Sequence, residues 1–168
     1  TTALWLLDTY AYSTQARVLQ VSKDESQEKG TWEVVLDATV FHPQGGGQPA
    51  DRGLLIADAC KWPVRAVRAS KAGKVVHQVE HTGTAPPFAV GQELRCEVDA
   101  HFRIEAARLH SGGHLIDVAM LASGCTLRPT KGYHFSPGAY VEYAGKLSSE
   151  DRETLLPKLQ AQMDEIGR

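Results

Sequence analysis

The chain has 168 residues, of which 42% are hydrophobic and 23% charged, and its formal net charge is −2. That is the composition of a globular chain with an adequate core, in one domain or two small ones, and the overall charge does not mark a nucleic-acid binder. No apolar run approaches the roughly 20 residues of a membrane span. Ala3–Leu7 is short and lacks the basic flank of a signal peptide. The start at Thr1 without Met is expected to reflect processing or trimming. Cys60, Cys96 and Cys125 are odd in number and widely spaced, which argues against a disulfide framework and for a reducing compartment.

Residues 4–22, with Trp5, Leu7, Tyr10, Tyr12 and then Ala16–Val21, alternate as a strand or two. Lys23–Gly30 is polar, ends in Gly and reads as a hairpin loop. Thr31–Val40 is rich in β-branched residues and predicts a strand. The segment from Phe41 to Gly53 cannot be regular: Gly45, Gly46 and Gly47 stand between Pro43 and Pro49. Such a loop reaches positive φ and presents bare N–H groups. It is no Walker A loop, since no Gly-Lys-Ser/Thr follows. Its flanking Gln44, Gln48 and Asp51 suit a polar substrate better than a phosphate.

Leu54–Ala57, Pro63–Ala69, Lys74–Val79 and Leu94–Val98 complete six or seven short strands, the spacing of a small antiparallel barrel or sandwich. From Lys61 to Val79 the chain holds five cations (Lys61, Arg65, Arg68, Lys71, Lys74) and no acid. That strip reads equally as a phosphate-backbone contact or as a protected sheet edge. Acids collect at Asp24–Glu28 and Glu150–Glu165 instead.

At Asp99 the period changes from two to about 3.6. Phe102, Ala106, Leu109, Gly113, Ile116 and Met120 form a core-facing stripe, with Asp99 as N-cap and Gly124 as the stop. The domain boundary is placed there, giving 1–98 and 99–168. Beside the stripe, His110 and His114 are spaced to put two imidazoles on one helix face, as a divalent metal requires. Gly112 and Gly113 each cost about 1 kcal/mol against Ala in a helix interior, which predicts a close approach by backbone or ligand. Tyr133–Tyr143 reads as a hairpin turning at Pro137-Gly138. A last helix begins after Ser148 or Ser149, with a kink expected at Pro157.

Three segments together resemble a family. Asp37-Ala-Thr-Val-Phe-His-Pro43, followed by the glycines, Gln48 and Asp51-Arg-Gly53, is similar to the signature loop of alanyl-tRNA synthetase editing domains and of the AlaX-type alanyl-tRNA editing proteins. His110-Ser-Gly-Gly-His114 resembles their HxxxH zinc motif, and Gly132-Tyr-His-Phe135 with Tyr140-Val-Glu-Tyr143 resembles the segment after it. The resemblance implies an α+β chain: a small antiparallel β-barrel, then an α+β editing domain of the threonyl/alanyl-tRNA synthetase second-additional type, here incomplete. It implies a cytoplasmic, trans-editing hydrolase in translation fidelity, deacylating tRNA(Ala) mischarged with Ser or Gly, zinc-dependent when complete. Thr39 and Gln48 become candidates for the catalytic contact with the amino acid or terminal adenosine. Gly45, Gly46 and Gly47 are candidates for binding substrate, as are Arg65, Arg68, Arg103 and Arg108 for tRNA phosphates. His110 and His114 are the implied zinc ligands. The family completes that site with a downstream CxxxH pair, which does not occur here, so the second pair is expected beyond Arg168. Two alternatives stand beside this reading. One is a catalytically incomplete RNA- or protein-binding module of the same fold. The other, a metallopeptidase, is disfavoured because Ser111 occupies the place of the zincin glutamate.

Overall fold

A computed structural model describes residues 1–24 and 30–167. It forms two compact units, Thr1–Gly45 with Pro49–Ile104, and Gly46–Gln48 with the chain from Glu105 onward. In chain order the elements are β1 (Thr2–Ala3), β2 (Ser13–Lys23), β3 (Thr31–Leu36), β4 (Ala38–Thr39), β5 (Gly53–Ala57), β6 (Cys60–Ala69), β7 (Val75–Glu80), β8 (Glu93–Val98), α1 (Ala100–Ala122), β9 (Pro129–Tyr133), β10 (Tyr140–Tyr143) and α2 (Ser149–Ile166). Leu4–Leu6 is a 3₁₀ turn rather than strand; its N–H groups bond locally, with Leu7 N donating to Leu4 O. Most of the expected Lys23–Gly30 hairpin loop lies outside the described residues.

The first unit is a closed antiparallel barrel in the order β2-β3-β7-β6-β5-β8. Closure leaves no edge strand among the six, so the cationic strip on β6 is not edge protection: β6 pairs with β5 on one side and β7 on the other. A bulge between Val64 and Ala66 turns Arg65 out and lets Val64 and Val67 both point inward. With Val18, Val34, Leu36, Leu55, Val79 and Leu94 they fill the interior.

Two polar groups are buried in this unit with their hydrogen bonds closed. His77 Nδ1 donates to Val34 O at 3.1 Å, so its Nε2 accepts the Thr39 hydroxyl proton at 2.9 Å, and Thr39 Oγ1 accepts from Phe41 N at 3.1 Å. Burial lowers the His77 pKa to about 4. Below the ordinary histidine value of 6.5 the unfolded chain takes a proton that folded His77 refuses, so this contribution is full above pH 6.5 and disappears as pH falls towards 4. The urea midpoint is expected to decline through that window, and His77→Gln to flatten the decline; a flat wild-type profile would contradict the assignment. The second group is the Arg103–Asp51 pair, with side chains 3% and 1% exposed.

Helix α1 begins where Asp99 Oδ1 accepts from Phe102 N at 3.1 Å. It ends in a Schellman turn: Gly124 has φ +83, Gly124 N donates to Leu121 O and Cys125 N to Met120 O. Strands β9 and β10 pair antiparallel around a turn that holds a cis Ser136–Pro137 bond and Gly138 at φ +98. Ser148 caps α2 by accepting from Asp151 N. Helix α2 is continuous through Pro157, so the helix does not restart there. This stretch is exposed, so water can take the Glu153 carbonyl that the missing proline N–H leaves.

Candidate functional site: a cavity lined by three imidazoles

The candidate site is built within the second unit, from α1, the β9–β10 hairpin and the loop residues Gly46–Gln48. The i,i+4 spacing on α1 brings the rings of His110 and His114 to 5.0 Å between centroids. Each ring is backed at Nδ1. His110 Nδ1 lies 2.9 Å from Gln48 Oε1, and because a carbonyl oxygen only accepts, Nδ1 carries the proton. His114 Nδ1 faces Asp117 Oδ2 at 3.7 Å. Asp117 is fixed in turn by Tyr143, whose hydroxyl donates to Oδ1 at 2.5 Å. Burial and the Asp117 carboxylate both push the Tyr143 pKa up, which keeps the phenol protonated as the donor.

A third imidazole, His134, completes the wall. It stacks on His110 at 4.6 Å with planes 13° apart and is 4% exposed. Its backbone N donates to Gly47 O at 2.9 Å. Three glycines make room for it. A Cβ on Gly47 would lie 2.9 Å from Gly132 C and 3.0 Å from His134 Cδ2, one on Gly132 would lie 2.6 Å from His134 Nε2, and one on Gly113 would lie 3.0 Å from Nδ1 and nearer still to Cε1. The close approach expected from Gly112-Gly113 is therefore made at Gly113, by a side chain; Gly112 has nothing within 4 Å and nothing in the structure explains it. Burial, then the neighbouring His114 charge, hold the His134 pKa below the ordinary value, against the opposing pull of Asp117.

His110, Gly113, His114, Asp117, Gly132 and His134 line a cavity of about 210 Å³ that also meets Gly46, Pro129, Thr130, Lys131 and Val141. The loop glycines are where the sequence asked for them: Gly46 at φ +58 and Gly47 at φ +81 adopt backbone that a side chain disfavours, and Gly46 approaches His110 Cε1. Gly45 is exposed and belongs to the first unit.

The other sequence candidates are placed differently. Thr39, on β4 in the first unit, has no exposed surface, and its proton is committed to His77, so its hydroxyl is a structural hydrogen bond there rather than an open substrate contact. Arg103, expected to meet phosphates, is 2% exposed and is corrected to a structural role: its guanidinium is held by Asp51 together with Thr9 O and Val40 O. Arg65 and Arg68 remain exposed but each faces a cross-strand carboxylate, Glu80 and Glu33 respectively, so the strip is less cationic than its sequence. Arg108 is exposed on α1. Sequence reading missed His134, Asp117 and Tyr143. Glycine in a helix at 113 was the available signal for His134; nothing in the spacing named its partner.

His110, held at Nδ1 by Gln48, has the orientation that amide–histidine pairs impose on metal ligands, whereas His114 lies at ion-pair distance from Asp117 without a hydrogen bond. Among the described residues, however, no group of three or more His, Cys, Asp or Glu stands where one ion could meet all of them. The donors fit half of a tetrahedral zinc site and do not fit a whole one.

The closed six-stranded barrel and the helices that follow it give the α+β architecture, and the profile of the class II (A) tRNA synthetases matches residues 7–102. Among relatives, the alanine–tRNA ligase of Pyrococcus abyssi is 38% identical over 122 residues, 72% of this chain and 12% of the ligase. The alanyl-tRNA editing proteins AlaX-M of Methanosarcina barkeri and Pyrococcus horikoshii are each 32% identical, over 69% and 70% of this chain and 45% and 47% of their own lengths. The chain belongs to the family of the class II (A) tRNA synthetases and is similar to the AlaX-type alanyl-tRNA editing proteins. It matches less than half the length of these curated relatives.

Proposed function

We propose that this chain forms the acyl pocket of a cytoplasmic trans-editing hydrolase that removes Ser or Gly wrongly esterified to tRNA(Ala). One observation carries the reading: the 2.9 Å contact of Gln48 with His110, which ties the glycine loop to the imidazole helix on one wall of a small cavity. A methyl or hydroxyl difference gives a synthetase only about 1–3 kcal/mol of discrimination, so a second site that admits small acyl groups has a purpose. An aminoacyl ester is already activated. The pocket needs to orient it against water and stabilise charge growing on the carbonyl oxygen. The loop N–H groups of Gly46 and Gly47 and the Lys131 ammonium are the donors available for that charge. Arg65, Arg68 and Arg108 are the exposed guanidiniums from which phosphate contacts would be drawn.

Zinc, bound through His110 and His114 with further donors, would polarise the ester or lower the pKa of a water. With two donors in place, no step is assigned to it here. The same shortage favours a second reading, a module that binds acylated tRNA without hydrolysing it.

The two are separated by measuring deacylation of Ser-tRNA(Ala) and Gly-tRNA(Ala) by this chain and by its His110→Ala/His114→Ala variant, each with and without chelator, beside tRNA binding. Loss of about 100-fold or more in the variant is expected if both imidazoles serve the transition state. Undiminished hydrolysis in the variant would contradict the role given to the two imidazoles, and absence of hydrolysis and of binding in the wild type would contradict both readings. Binding without hydrolysis in the wild type would establish the second.

A further inference from the structure

His134 is a buried imidazole with an unusual surrounding. Among the described residues no hydrogen bond reaches either ring nitrogen, although the side chain is almost wholly removed from solvent. Its nitrogens are not among the sealed, partnerless polar atoms of the described residues, which are Trp32 Nε1, His42 Nδ1 and Ser123 Oγ, so they keep access to the cavity. The ring packs against Gly47, Gly113 and Gly132. It is fixed by its stack on His110 and by the strand bond from its own N–H to Gly47 O.

The glycines decide what the nitrogens can reach. A methyl at Gly113 would stand 3.0 Å from Nδ1, and one at Gly132 would stand 2.6 Å from Nε2. With hydrogens there instead, the ring packs closely against both glycines and still forms part of the cavity lining. Of the other polar side chains of that lining, Thr130 Oγ1 donates to Glu142 O, Asp117 accepts from Tyr143, and Lys131 Nζ donates one hydrogen to Tyr140 Oη and keeps two.

We infer that His134 is a substrate-contacting residue of this pocket, whose imidazole hydrogen-bonds the aminoacyl group of an aminoacyl-adenosine end. The inference rests on the reading of the cavity as an acyl pocket. Its stack on His110 sets the ring's tilt, so the hydrogen bond is directed at a fixed point in a small space. The partner is a small acyl group's amino or hydroxyl function, since the space in front of the ring is a cavity of only about 210 Å³.

The probe is the non-hydrolysable amide analogue 3′-(L-seryl)amino-3′-deoxyadenosine. Its binding is followed by calorimetry and by the imidazole ¹⁵N shifts of the histidine-labelled wild-type chain. The analogue is expected to move the His134 ¹⁵N signals. His134→Leu, of similar bulk, should weaken its binding about tenfold or more, and His134→Gln, which restores hydrogen bonding, should stay within about threefold of wild type. Binding that leaves the His134 signals unmoved, or that His134→Leu retains in full, overturns the assignment while the acyl pocket stands. No binding by the wild-type chain overturns both. The wild-type shifts give the answer even if the leucine variant fails to fold.

Discussion

Arg103→Met is expected to destabilise the barrel unit by about 3–5 kcal/mol, the cost of leaving a buried charge without its partner. The guanidinium is 2% exposed and its Nε lies 2.8 and 2.9 Å from the two Asp51 oxygens, while Nη1 and Nη2 donate to Thr9 O at 2.8 Å and Val40 O at 2.5 Å. Asp51 Oδ2 in turn accepts from His42 N at 2.5 Å. Methionine fills most of the volume but strands the carboxylate and two carbonyls. The melting temperature should fall by roughly 6–20 °C, at about 2–4 °C per kcal/mol for a chain of this size. Arg103→Met/Asp51→Leu should recover part of the loss, because removing both charges costs less than orphaning one. A single variant that melts within 2 °C of wild type would show that the pair contributes little. No loss of tRNA affinity beyond that explained by unfolding is expected, since the side chain offers nothing to a phosphate.

Arg103 also marks where sequence reading stops. Its position near the start of a helix was legible, but its burial was not, because the Asp51 that neutralises it is 52 residues away. The same limit applies to the strip on β6. The run from Lys61 to Val79 contains no acid, yet Glu33 and Glu80 come beside Arg68 and Arg65 once β3, β7 and β6 pair in register. Local signals did better. Period-two runs gave the barrel strands, the change of period at Asp99 gave α1 and both its caps, and i,i+4 spacing gave the imidazole pair. Gln48 was read as touching substrate. In the structure its amide oxygen is spent on His110, which makes it a positioning residue for that ring. The loop's need for glycine was legible at Gly46 and Gly47 from the flanking prolines. That Gly47 also has to admit the Gly132 carbonyl depends on β9, far along the chain.

The second large effect is a contrast between adjacent glycines of one helix. Gly112→Ala should stabilise the chain by up to about 1 kcal/mol, because alanine is the better helix former and its methyl meets nothing within 4 Å. Gly113→Ala carries the same helix gain and should nonetheless destabilise by about 1–2 kcal/mol, because overpacking a closed site costs about 1–3 kcal/mol or more. Its methyl would press on Cε1 and Nδ1 of His134. That ring has little freedom to retreat: it stacks on His110 on one side, a methyl-free Gly132 borders it on another, and its backbone is bonded to Gly47 O. Thermal unfolding of both variants gives the signs, and the double variant Gly113→Ala/His134→Ala gives the cause. With the ring gone the methyl has space, so the loss at Gly113 should vanish and the cycle should show a coupling energy of about 1 kcal/mol or more. Additive losses would mean that the helix refuses alanine at 113 for a reason other than His134, and the glycine cage would then have no part in placing the third imidazole.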